Sequence, residues 1–326
     1  MSLSRVLSLT LFAAAALASP VLNSPSRVLR RDPPSPSTYP LGDACDHEWQ
    51  YLNFNPDDDT DKAHLQTLHD VICVGEMRAI SSYGQSSAER ALAPYKRYFP
   101  ESDEEDDFQT NVKDVLGLIA GTSSTDGAIG TVVGTFVIDN LGELHIPLWS
   151  LLFLFKSPLI RPADFAANDP DEADCTDEGS LAYTLTDQLD NREKIHFCDP
   201  SWTRGSAADV DCGSLDPFPS TKMDSFSRIA LHEMTHYSSV GPQTSLAQQI
   251  VDTNNADGEK AYDPPRVHGL LDPEQDDNPA VTEINADSYA WMSLDAWISR
   301  KCAADPSGDN WASFFTQDPP AYEHAD

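Results

Sequence analysis

The stretch Ile229–Ser239, IALHEMTHYSS, constrains the chain more than any other feature. His232 and His236 stand four residues apart, and a helix stacks such positions on one face, with about 5–6 Å between Cβ atoms. A helical turn here can therefore aim two imidazoles at one cation, at the ~2.0–2.1 Å that zinc–nitrogen bonds require. Glu233, beside the first histidine, then projects next to that ion, where it can take a proton from a water held by zinc and return it to a leaving amine. The fold must reserve a helix for FSRIALHEMTHYSS, entered from the Pro219-Ser220-Thr221 turn.

Two imidazoles leave a catalytic zinc shell unfinished. A third protein ligand is needed, with a fourth position left open. HEMTHYSSVGPQT offers no third histidine at the H-x-x-G-x-x-H spacing. The next helix contains Glu283 and, four residues on, Asp287, a spacing that suits a glutamate ligand with an aspartate behind a histidine. The alternative is an acid in the intervening loop.

The rest of the chain sets the context. MSLSRVLSLTLFAAAALASP has one arginine before an apolar run and ends in a small-x-small pattern, so residues 1–18 read as a secretory signal peptide. Arg30-Arg31 closes a short pro-segment, 19–31, at a dibasic site. The net charge is −32, and the four basic residues of positions 1–31 leave with the leader, making the remainder more acidic. Such a surface repels phosphate backbones and anionic lipid, so neither nucleic acid nor membrane is an expected partner. Six cysteines, none in C-x-x-C, suggest up to three disulfides in a secreted protein; Cys175 and Cys198 could tie back a hairpin.

Residues 32–90 read as a proline-rich lead-in followed by a helix over DKAHLQTLHDVICVGEMRAI, with Leu65, Leu68, Val71 and Ile72 on one stripe and His64 and His69 at its flanks as surface residues. PDDDTDKAHLQT lacks the glycine and the final glutamate of a calcium loop. ESDEEDDF reads as a solvated acidic loop. GTVVGTFVID and EKIHFC read as strands, and IPLWSLLFLF, too short to cross a bilayer, reads as core. PAVTEINADSYAWMSLDAWISRKC reads as a single closing helix with Ile284, Tyr289, Trp291 and Met292 buried. Residues 91–326 then form the main domain.

LHEMTH, the later NADSYAW, and the upstream DEGSLAYT and IHFCDPSW together resemble the fungal secreted zinc metallopeptidases of the deuterolysin and lysine-specific metalloendopeptidase group, the aspzincins. LAPYKRYF is similar to the start of that domain, and the likeness spans residues 90–300. It implies an α+β, zincin-like fold with a helical N-terminal part, a small twisted sheet and an active-site helix. In that family the third ligand is the aspartate of G-T-x-D-x-x-Y-G, whose tyrosine stabilises the transition state. EKAYDPP places Tyr262 at that tyrosine and Glu259 at the aspartate, with Asp263 in place of the glycine. The resemblance thus implies His232, His236 and Glu259 around one Zn2+ per chain, with Glu233 and Tyr262 catalytic. Asp252 comes next if the loop carries an insertion, and Asp257, Asp263 and Glu283 stay open. Asp287 either orients a zinc histidine or braces a helix junction.

The expected function is a secreted, monomeric zinc endopeptidase acting on protein or peptide, with extended substrate pairing with EKIHFC as an edge strand. The departure from the family motif favours an alternative: a secreted zinc-binding or adhesion protein that retains the scaffold without turnover.

Overall fold

The computed structural model describes residues 49–52, 54–55, 57–101, 108–121, 136–140, 175, 179–187, 192–255, 257–272, 279–304 and 314–322. The leader, the pro-segment, the proline-rich lead-in, Cys45, nearly all of the acidic run and Ile146–Phe155 lie outside these residues. The described chain is α+β. Four strands, β1 (Trp49–Leu52), β2 (Phe136–Asp139), β3 (Ala182–Asp187) and β4 (Arg192–Phe197), form one sheet in the order β1-β2-β4-β3. β1 and β2 are parallel, as are β2 and β4, whereas β3 runs antiparallel to β4 with Thr184 opposite Ile195.

The first helices follow from local signals. Asp58 caps α1 (Asp59–Leu68), its carboxylate accepting from the amides of Thr60 and Asp61. The long helix expected over residues 61–80 is broken. A π-helical turn, His69–Cys73, ends α1, and Gly75 adopts φ +90, a conformation that favours glycine, before α2 (Glu76–Ser87) begins. Leu65, Leu68, Val71 and Ile72 are nevertheless all buried. His64 is buried too, stacked on Trp202 with ring centroids 3.9 Å apart, rather than lying on the surface. After α3 (Ala93–Tyr98) and α4 (Phe108–Ala120) the chain reaches the sheet.

Two further helices meet at the centre. Ser225 caps α5 (Phe226–Thr235), and α7 (Ala286–Cys302) runs beneath it; α6 (Pro264–Gly269) is a short turn between them. Almost every residue of α7 up to Ser299 is buried, because α2, α3 and α5 all pack on it. Gly84 of α2 permits this closeness, since a Cβ there would collide with Ser293 of α7. The closing helix is shorter than its sequence suggests. Pro279–Ile284 is a 3-10 turn, and Asn285, in extended conformation, separates it from α7. One apolar cluster reaches from Tyr51 to Phe315.

Two disulfides are described. Cys175–Cys198 ties the end of β4 back across the β3–β4 hairpin, as its bracketing position suggested. Cys212–Cys302 fastens the C-terminus of α7 to the loop before α5. Among the described residues no helix is long and apolar enough to cross a membrane.

Phe226 starts α5 and is wholly buried between Phe197 of β4 (centroids 4.6 Å apart) and Trp202 (4.9 Å). Phe226→Ala is expected to destabilise the protein by about 3–5 kcal/mol, read as a lower urea midpoint at unchanged slope.

Candidate metal centre

The expected helix forms. His232 and Glu233 lie in the last turns of α5, and His236 is the residue that ends it, still in right-handed helical conformation. A second piece of chain arrives by backbone pairing. Val251 forms a parallel bridge with Asn285, its amide donating to the Ile284 carbonyl and its own carbonyl accepting from Ala286 N–H. This clip fixes Asp252 beside the start of α7, and there its carboxylate meets both histidines. Asp252 Oδ1 lies 3.1 Å from His232 Nε2 and 3.4 Å from His236 Nε2, and the two Nε2 atoms are 3.1 Å apart.

The other nitrogen of each ring has a fixed task. His236 Nδ1–H donates to the Ile250 carbonyl at 3.1 Å, and His232 Nδ1–H donates to Asp287 Oδ1 at 2.7 Å. Both partners only accept, so both Nδ1 atoms carry protons and both Nε2 atoms face Asp252. Ligand atoms ~2.0–2.1 Å from one ion at tetrahedral corners would stand about 3.3–3.4 Å apart. The three observed separations fit that triangle. Asp252 Oδ1 is buried and accepts no hydrogen bond, whereas Oδ2 accepts one from the Tyr262 hydroxyl at 3.1 Å. Two imidazoles and one carboxylate are a donor set that suits zinc.

Charge points the same way. Four carboxylates, Asp224, Glu233, Asp252 and Asp287, crowd the site against two guanidinium groups, the buried Arg228 and the exposed Arg204, which reaches Asp224 alone of the four. Burial opposes a charged His232, but Asp287 and Asp252 outweigh it and hold its pKa well above the usual histidine value. Burial likewise opposes a charged His236, and Asp252 lifts it. Burial would raise Asp252; the two histidines instead hold it well below the carboxylate range. The pocket therefore selects for positive charge.

Glu233 is buried, its carboxylate accepting from Thr184 Oγ1 of β3 at 2.7 Å and lying 3.9 Å from His232 Nε2. Burial pushes its pKa up against the pull of the two histidines, which favours proton exchange over a fixed ion pair. Tyr262 is 39% exposed, its ring 6.0 Å from that of His232. Burial of the hydroxyl end and the charge of Asp252 both push its pKa up, so it remains a proton donor.

Glu259 does not join this group. Its carboxylate accepts instead from Arg266 Nη2 at 3.2 Å and from the Tyr322 hydroxyl. The cause is the length of the loop. Residues 253–261 fold back as a small hairpin, with Asn254 bridged to Lys260, Ala261 N–H donating to the Thr253 carbonyl, and Gly258 turning at φ +81. Asp252 and Tyr262 thus flank the hairpin, and Glu259 sits on its outer limb. Asp263 caps α6 and pairs with Arg266, Asp257 lies on the exposed turn, and Glu283 accepts from Asn111 Nδ2. Cys175, His196 and Cys198 also lie together, but the two sulfurs are joined to each other, so they offer no thiolates.

Two contributors escaped sequence reasoning. Thr184 closes DEGSLAYT, a stretch that carried part of the resemblance but was given neither a strand nor a role. Arg228 had a signal: it precedes His232 by four residues and so shares its helical face.

No protein-family model matches the chain, and no curated protein or solved structure matches it either. Asp252→Asn is expected to weaken zinc binding by more than about 100-fold, beyond the cost of losing an outer partner, while Glu259→Gln leaves it near that of the unsubstituted chain. Competition against a chromophoric chelator separates the two.

Proposed function

We propose that the chain is a secreted zinc endopeptidase of the zincin type, akin to the aspzincins, with His232, His236 and Asp252 as its metal ligands. The observation that carries this reading is the convergence of three ligand atoms beside a buried carboxylate, Glu233, that is none of the three. A site built only to store or be braced by zinc has no use for that fourth group. The hairpin between Asp252 and Tyr262 supports the family reading as well: with residues 253–261 taken as an insertion, an aspartate and a tyrosine still come together at the metal site. The two disulfides suit an oxidising compartment.

Zinc, when bound, supplies Lewis acidity and lowers the pKa of a neighbouring water to about 7. The protein's own groups do the rest. Glu233 accepts the proton of the attacking water and passes it to the leaving nitrogen, and Thr184 holds the carboxylate in place for both transfers. The Tyr262 hydroxyl donates to the scissile carbonyl oxygen as negative charge builds there. Asp287 and the Ile250 carbonyl hold the two rings in the tautomer that leaves Nε2 toward the ion.

The substrate strand differs from the one expected. EKIHFC forms β4, which has β2 on one side and β3 on the other, so it cannot accept a further strand. Among the described residues β3 pairs with β4 alone, and it carries Thr184. We assign the extended peptide to the outer edge of β3, where backbone pairing would lay the scissile bond beside Glu233.

Casein hydrolysis by the secreted chain tests the reading. Glu233→Gln is expected to lose about 10²–10⁴-fold in kcat while keeping a full complement of zinc. Equal activity in the two proteins, or zinc bound with no cleavage by the unsubstituted chain, would overturn it. Tyr262→Phe should lower kcat by up to about 100-fold with a smaller change in KM, because its hydrogen bond strengthens only as the oxyanion forms.

A further inference from the structure

Arg228, His232 and His236 follow one another at four-residue intervals, so a single stripe of α5 carries a guanidinium and both imidazoles. The guanidinium is buried and held at every edge. Nε donates to Asp224 Oδ1 at 2.7 Å, Nη2 to Asp224 Oδ2 at 3.3 Å, and Nη1 to Asp287 Oδ1 at 2.8 Å. Its Cζ lies over the Trp291 ring, 4.5 Å from the centroid. The oxygen it grips on Asp287 is the same one that accepts from His232 Nδ1. An isolated carboxylate could rotate, and that would free the imidazole to turn or to change tautomer.

We infer that Arg228 is a positioning residue for the metal centre: by fixing Asp287 Oδ1 it holds the His232 ring with Nε2 toward the ion, and so sets the zinc affinity of the site. This rests on the zinc reading above. Arg228 touches neither metal nor substrate and acts only through Asp287. Three features argue for this role over simple helix bracing. The bond to Asp287 joins α5 to α7 at the carboxylate oxygen that accepts from His232 Nδ1–H. Asp224, on Arg228's own side of the junction, engages the other two donor positions and leaves Nη1 pointed at Asp287. Trp291 covers one face of the guanidinium, and its indole N–H donates to the Tyr262 carbonyl at 3.1 Å, so the residue that steadies Arg228 also steadies the loop returning to Asp252.

The test is a double-mutant cycle on zinc affinity, with zinc alone as the probe and chelator competition as the readout. Arg228→Met and Asp287→Asn are each expected to weaken zinc binding about 10–100-fold. If Arg228 acts through Asp287, the double variant binds no more weakly than Asp287→Asn alone. Arg228→Lys, which keeps the charge but loses the fixed fork, should fall between Arg228→Met and the unsubstituted chain. Should Arg228→Met fail to fold, Arg228→Lys replaces it in the cycle. Losses that multiply in the double variant, or an Arg228 variant with unchanged affinity, would overturn the inference while leaving the metal site standing. Absence of zinc binding by the unsubstituted chain would overturn both.

Discussion

One carboxylate oxygen, Asp287 Oδ1, joins the two central helices and orients the site at once. It accepts from Arg228 and from His232, both on α5, while belonging to the first turn of α7. Burying such a charge without partners would cost several kcal/mol. Here the partners are supplied by the element that must be positioned. The apolar packing of α5 on α7 brings the helices together without specifying their register, because hydrophobic contact is not directional. The shared oxygen specifies it, since only one alignment satisfies both donors.

The same logic extends outward from α7. Its first residues pair with Val251 through the backbone, and this clip delivers Asp252 to the histidines. Trp291, one turn further on, stacks on Arg228 and holds the Tyr262 carbonyl. Three segments remote in sequence therefore converge on one helix: the histidine helix, the aspartate strand and the tyrosine loop. The sheet adds a fourth through Thr184 and Glu233. The disulfide at Cys302 secures the far end of α7, and Cys175–Cys198 secures the hairpin that bears Thr184. Each covalent tie lies at an element that carries a functional contact, which is where local opening would be most costly to the site.

The helix of the two histidines, strands β2 and β4, and the burial of Tyr289, Trp291 and Met292 were legible because each rests on periodicity or on an i,i+4 spacing, whereas the mixed helix-and-sheet class was what the resemblance implied. Where the reading failed, long-range geometry had intervened. His64 looked like a surface residue because nothing nearby in sequence announced Trp202 as a stacking partner. Residues 279–302 looked like one helix because Pro279 suits a first turn; the demands of Asn285, which bonds Thr253 and Ser288, break it instead.

The acid beside the two imidazoles shows most clearly where sequence stops. The spacing from Tyr262 that the resemblance implied selects Glu259. The fold-back at Gly258 removes Glu259 to the surface, and the Val251–Asn285 clip brings Asp252 inward. By itself the sequence determined which residues can share a helical face, and so that His232, His236 and Glu233 form one chemical unit. Only the tertiary structure decided which acid lies beside the two imidazoles, which strands pair on one side alone among the described residues, and which guanidinium stands behind the aspartate. Local backbone periodicity reaches across a few residues, whereas those choices depend on where loops of arbitrary length return to the core.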